Sequence, residues 1–184
     1  MVESLEPIEY IQVYETNQAT DAHLRFKDIG DVEPYDCVVI KGVVDSRPVR
    51  TEGGHVFTRI RDDTGVIDCA AYSPTGGFRD IVASLEVGDE VVAYGGVSRY
   101  VNTVNLEKLR VLRVVEKTVE LKPVCCGRTM TSAGRGKGFK CRVCGGRKAD
   151  SEVSLNSVEK TLKPGFYSVP PRARRHLSKP LFRL

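Results

Sequence analysis

Four cysteines in the stretch PVCCGRTMTSAGRGKGFKCRVCGG, residues 123–146, are the side chains of this sequence best suited to chemistry. Cys141 and Cys144 form a C-x2-C knuckle, while Cys125 and Cys126 stand side by side a hairpin's length upstream. Thiolates delivered by two short turns suit a tetrahedral zinc ion, so zinc is the expected cofactor and these four residues its expected ligands. Adjacent cysteines reach one ion only through a distorted turn, which leaves His176 or Asp150 open as a substitute for one of them. The competing reading is a set of free or disulfide-bonded thiols. It is disfavoured because the sequence carries no secretory signal and has enough apolar residues elsewhere to fold without staples. Cys37 and Cys69 lie in apolar, strand-like runs and read as small core side chains.

The charge around the cysteines points to an anionic partner. Residues 119–184 carry 15 basic and 4 acidic side chains, net +11, whereas residues 1–34 carry 2 and 8, net −6, and residues 35–118 carry 11 and 12, net −1. Nearly all the positive surplus therefore lies in and after the cysteine segment, the electrostatic footprint of a nucleic-acid-binding end. A solvated charged face is the plainer alternative. Arg135, Lys137 and Lys140 lie within the cysteine hairpin. Arg172, Arg174, Arg175, His176 and Lys179 follow in a proline-punctuated tail that can run along a phosphate backbone. Against a disordered tail stand Phe166, Tyr167, Leu177 and Leu181, which predict that part of it docks on the body.

The elements that position these groups are mostly strands. Tyr35–Val44 is a β-branched run, His55–Arg61 alternates, and the turn signal Asp63-Thr-Gly65 leads into Val66–Tyr72. Phe78, Ile81, Val82 and Leu85 form one stripe of a short amphipathic helix stopped by Gly88. Glu90–Val97 and Val104–Val115 complete the set, and in the last run the apolar phase slips after Leu106, which predicts a bulge near Lys108. Three strands, a helix and two strands is the order of an OB-fold, a five-stranded barrel that binds oligonucleotides across strands 2 and 3.

With period 2, Val56, Thr58 and Ile60 face the core of that barrel, leaving His55, Phe57, Arg59 and Arg61 on the outer face. There Phe57 offers a ring for a base and the two arginines offer charge to phosphates. The alternative is that Phe57 fills a gap and the arginines pair with Asp62, Asp63 or Asp68. The fold expectation is mainly β: residues 1–34 a joint, 35–118 the OB barrel with one short helix, 119–150 a zinc ribbon, and 151–184 a basic tail. No run is long and apolar enough to span a membrane, and an intracellular, cytoplasmic protein is expected.

Six ordered motifs resemble the C-terminal half of archaeal tRNA 2-agmatinylcytidine synthetase: Thr16-Asn-Gln-Ala-Thr-Asp-Ala-His23, Gly53-Gly-His-Val56, Cys69-Ala-Ala-Tyr-Ser-Pro-Thr75, Asn105-Leu-Glu-Lys108, Ser132-Ala-Gly-Arg-Gly-Lys-Gly-Phe-Lys-Cys141 and Pro171-Arg-Ala-Arg-Arg-His-Leu-Ser-Lys-Pro180. The resemblance implies an ATP-dependent enzyme that joins agmatine to the wobble cytidine of the minor isoleucine tRNA. In that family a kinase-like and a ferredoxin-like domain precede the OB-fold and zinc ribbon, which grip the tRNA. The expected partners are therefore that tRNA and catalytic domains absent from this sequence, with no small molecule bound here and no catalytic residue here. Ile8–Glu15 reads as an alternating strand that would close the ferredoxin-like sheet of the complete enzyme, with its partners absent here, and Asp62-Asp-Thr-Gly65 reads as a turn between strands. The family's first knuckle is a spaced cysteine pair, whereas Pro123 stands in the expected place of its first cysteine. The alternative function is a stand-alone single-strand nucleic-acid-binding protein without catalytic activity.

Overall fold

The computed structural model describes residues 7, 9–99, 102–134, 136–149, 154–158 and 160–184. Strands β1 (Cys37–Arg50), β2 (Val56–Arg61) and β3 (Val66–Ala71) form an antiparallel meander, followed by helix α1 (Phe78–Ala83) and strands β4 (Glu90–Val97) and β5 (Thr103–Arg113). β4 pairs antiparallel with both β1 and β5, and β5 returns parallel to β3 through Asp68–Ala70 against Thr103–Asn105. These pairings close a five-stranded barrel in the order 1-2-3-5-4. Val38, Ile40, Val44, Val56, Ile60, Val91, Val104 and Leu109 fill it without solvent contact. α1 packs Phe78 and Val82 into the same core, and Leu85 follows just beyond its last turn.

β1 runs six residues past the expected Val44. Pro48, which has no amide to donate, sits inside a register shift between Ser46 and Val49, where the ladder does not need it. The slip expected near Lys108 is present: Tyr94 faces Lys108 and Gly95 faces Leu106, so Glu107 is the extra residue. A Cβ on Gly95 would lie 2.1 Å from the Asn105 carbonyl oxygen, so only glycine permits this close crossing. The bulge keeps Leu106 and Leu109 in the core and turns Glu107 and Lys108 together beneath the two chain ends.

Beyond β5, strand β6 (Lys117–Leu121) leads into short strands β7 (Val124–Cys125), β8 (Arg128–Thr129), β9 (Thr131–Ser132), β10 (Phe139–Lys140) and β11 (Arg147–Lys148). The chain then returns through β12 (Ser154–Val158), antiparallel to β6. β7 and β8 form one hairpin, and β9, β10 and β11 a small sheet. Asp89, fully buried, fastens the root of this excursion. It accepts the Val115 amide at 2.7 Å on the way out and the Lys160 ammonium at 2.8 Å on the way back. β13 (Gly165–Ser168) then pairs with Lys108–Val111 of β5, while Leu162 and Val169 enter the barrel core. The tail is thus docked, as its apolar residues suggested.

Ile8–Glu15, expected to pair only in a ferredoxin-like sheet whose other strands are absent here, makes no strand pairing over 9–15, and Ile8 lies outside the described residues. A strand exists only against a neighbour, and Tyr10, Ile11, Val13 and Tyr14 are instead 72–89% exposed. Among the described residues no helix is long and apolar enough to cross a membrane.

Candidate metal centre and nucleic-acid interface

The thiols converge because the chain doubles back on itself at both knuckles. In an extended strand, neighbouring side chains point to opposite faces. Cys126 and Gly127 both adopt positive φ, +50° and +72°, so the chain reverses at once from β7 into β8 and the two sulfurs come within 3.8 Å. At the second knuckle the Cys141 amide donates to Gly146 O at 2.8 Å and the Gly145 amide to Cys141 O at 3.0 Å. The Val143 amide points at the Cys141 sulfur, 3.4 Å away. Cys125 and Cys144 sulfurs are 3.6 Å apart, and all four lie within 4.8 Å of one another. Zinc with S–Zn bonds of about 2.3 Å sets tetrahedral S···S edges of about 3.8 Å, so the donor set fits that ion.

Local electrostatics favour a cation there. The Cys144 and Val143 amides hold the Cys141 thiol down to about 7. Hydrogen bonds among the crowded thiols, first from Cys144 and then from Cys125, push Cys126 up to about 12. Sulfurs this close ionise together only when a positive charge sits among them. Met130, Phe139 and Cys141 form the small core beneath the site. His176 lies outside this cluster, on the tail, where its carbonyl accepts the Ala19 amide at 2.9 Å. Asp150, the other alternative ligand, lies outside the described residues. So does Arg135; Lys137 and Lys140 are exposed. Exposed Arg128, Arg142 and Arg147 on the same ribbon were not singled out by the sequence, although their charge was legible there.

On β2 the expected alternation holds, with Val56, Thr58 and Ile60 buried. Phe57 is half-buried and meets Tyr72 edge-on at 6.2 Å, and Tyr72 also meets His55 at 5.3 Å. The sequence had singled out only the first ring, because Tyr72 follows β3 and joins the others through barrel curvature. Arg59 pairs with Asp68 at 3.0 Å, one of the alternatives weighed, and Arg61 pairs with Asp45 at 3.3 Å. Both arginine side chains remain more than half exposed, so these pairs are weak competitors for a phosphate. Cys69 is buried, and that burial pushes its thiol far up; Cys37 is half-buried.

The tail cations separate into two kinds. Arg172 is exposed beside Gly76, where a Cβ would lie 3.0 Å from its guanidinium, and Arg174 is half-buried. Arg175 instead pairs with Glu107 at 3.1 Å and lies over Gly96, while the Lys179 backbone amide donates to Asp21 at 2.6 Å. Asp62 accepts the amides of Ile29, Thr64 and Gly65 and the Thr64 hydroxyl. It is a turn residue, as expected.

A family model described as an OB-fold nucleic acid binding domain matches residues 38–115, and one described as the TiaS C-terminal zinc ribbon domain matches residues 122–162. The chain is 44% identical over 182 residues to the isoleucine-tRNA 2-agmatinylcytidine synthetase TiaS of Archaeoglobus fulgidus. The match takes in 97% of this chain but 42% of that protein. A crystal structure of apo TiaS superposes with a TM-score of 0.81 at 43% identity, over 97% of this chain and 43% of the other. A crystal structure of TiaS in complex with its isoleucine tRNA and ATP gives 0.77 at 44% identity, over 91% and 39%. The zinc-ribbon model and the thiol cluster together identify zinc as the metal of this module. Barrel, ribbon and sequence agree that the chain belongs to the tRNA 2-agmatinylcytidine synthetase (TiaS) family and corresponds to its C-terminal OB-fold and zinc-ribbon portion.

Proposed function

We propose that this chain is the tRNA-binding and positioning portion of an ATP-dependent synthetase that joins agmatine to the wobble cytidine of the minor isoleucine tRNA. ATP cleavage and agmatine transfer are assigned to catalytic domains outside these residues. The carrying observation is the 44% identity, over 91% of the chain, to a structure that holds the isoleucine tRNA and ATP. The net +11 of residues 119–184 supports it. Cys125, Cys126, Cys141 and Cys144 are the zinc ligands in this reading, and the fixed ribbon carries Lys137 and Lys140 toward RNA. The exposed Arg172 and the half-buried Arg174, with Phe57, Arg59 and Arg61 on the barrel, supply the remaining contacts. A tRNA-modifying role implies work in the cytoplasm.

Filter binding to the minor isoleucine tRNA across a salt series tests this. Affinity should fall steeply with salt and exceed that for a DNA of equal length; a flat salt response or equal affinity for DNA would sink the reading. A second reading, a general single-strand binder, is favoured by the His55–Tyr72–Phe57 ring cluster. Under it Phe57→Ala costs about 1–3 kcal/mol toward any homopolymer. Homopolymers that compete as well as tRNA select that reading.

A further inference from the structure

Thr16–His23, a motif without an evident chemical task, meets the tail directly. The Ala19 amide donates to His176 O at 2.9 Å, the Asp21 amide to Leu177 O at 2.8 Å, and the Lys179 amide to Asp21 Oδ1 at 2.6 Å. Ala19 and Asp21 hold positive φ of 58° and 63°, a conformation that persists in such residues only when surrounding contacts enforce it. Beneath lies the β5 bulge. Asp21 Oδ2 meets the Lys108 ammonium at 2.7 Å, with the lysine side chain 1% exposed. Glu107 bridges His23 at 3.2 Å and Arg175 at 3.1 Å. One bulge thus presents an acid and a base in succession: Lys108 fastens the 16–23 segment, and Glu107 fastens both that segment and the tail.

Two carboxylates beneath a tail read as binding a polyanion are a liability by charge alone, because each repels phosphate. The burial of Glu107 and the pairing of both indicate another task. We propose that Asp21, seated on Lys108, and Glu107, seated on Arg175, are positioning residues of the RNA-binding tail. They clasp residues 172–179 to the barrel so that its cations meet RNA already ordered. Lys108 and Arg175 serve as clasp residues in this arrangement, and Arg172 and Arg174 as contacts. The inference rests on the tRNA-binding reading and deepens it. Order imposed before binding spares its entropic cost at the moment of binding.

The clasp reverses the sign expected from simple electrostatics. Asp21→Asn and Glu107→Gln each remove one negative charge, so an unclasped tail would bind RNA equally or more tightly. The clasp instead requires about fivefold or weaker binding, with a log–log salt slope shallower by about one to two because fewer phosphates are engaged at once. Glu52→Gln, the same charge change on an exposed turn, is the control and should bind as wild type or slightly tighter. Hydrogen exchange should quicken at the Ala19, Asp21 and Lys179 amides while barrel strands stay protected. If Asp21→Asn unfolds the barrel by leaving Lys108 unpaired, Asp21→Asn with Lys108→Met removes both charges of the pair and must still bind more weakly. Variants that match or exceed the Glu52→Gln control overturn the clasp alone. A wild-type chain that binds no RNA overturns the function, and the clasp's role in it, together.

Discussion

The barrel and the ribbon solve the same problem, holding a fixed shape, by opposite means. The barrel buries a continuous apolar core drawn from all five strands, α1 and the returning chain. The ribbon buries Met130, Phe139 and Cys141 and places four thiols within 4.8 Å of one another. One module is stabilised by removing hydrocarbon from water, and the other by a coordination sphere. Small modules lack the volume for a core, so a metal takes its place.

The sharpest break between them is metal removal. Cys141→Ser or Cys144→Ser should abolish zinc binding and, with it, stabilisation of about 10 kcal/mol or more, unfolding the ribbon while the barrel melts as before. Elemental analysis and amide exchange over residues 122–149 check this; retained zinc refutes it. Next is the fastening between the modules: Asp89→Ala leaves the nearly buried Lys160 ammonium only the longer Glu86 contact at 3.5 Å and frees the Val115 and Glu86 amides, at a cost of about 3 kcal/mol. Denaturant titration should show that loss in the barrel, with zinc content unchanged. Ile60→Ala, at a residue with no exposed surface, should cost the barrel about 2–4 kcal/mol and again leave the metal bound.

The smallest effect is an acid response confined to the barrel. Burial raises the Asp62 carboxyl, but hydrogen bonds from Thr64, Ile29 and Gly65 outweigh it and hold the group below the ordinary carboxylate range. A group lowered in the folded state contributes stability that is complete above its unfolded pKa and is lost as pH falls through the folded one. Asp62→Asn should therefore cost about 1 kcal/mol near neutrality and flatten the melting temperature's decline below about pH 4. An unchanged decline removes Asp62 from the acid response.

What the sequence disclosed followed the same division. Apolar periodicity fixed β4 to the residue and located the bulge beside Lys108, because burial on one face writes a period into the chain. The ribbon has no such period, and only its cysteines announced it. The adjacent Cys125 and Cys126 looked mismatched because the left-handed turn at Cys126 is a backbone property that its side chain does not advertise. β13 was missed as a strand because Gly165–Ser168 is held by backbone pairing to an open stretch of β5 and buries no face deeply. The Asp21–Lys108 and His23–Glu107 contacts cross more than 80 residues, and no local spacing encodes them.

Asp89 has a mechanical consequence. The two chain crossings between the modules meet at the Asp89 carboxylate, with Glu86 also against Lys160, and continue outward as paired strands. A load on one tether spins freely; a load on two antiparallel tethers joined at their root resists twisting and yields by bending. Any reorientation of the ribbon against the barrel would thereby be reduced toward a swing about that pivot, carrying the ribbon's cations along an arc instead of over a sphere.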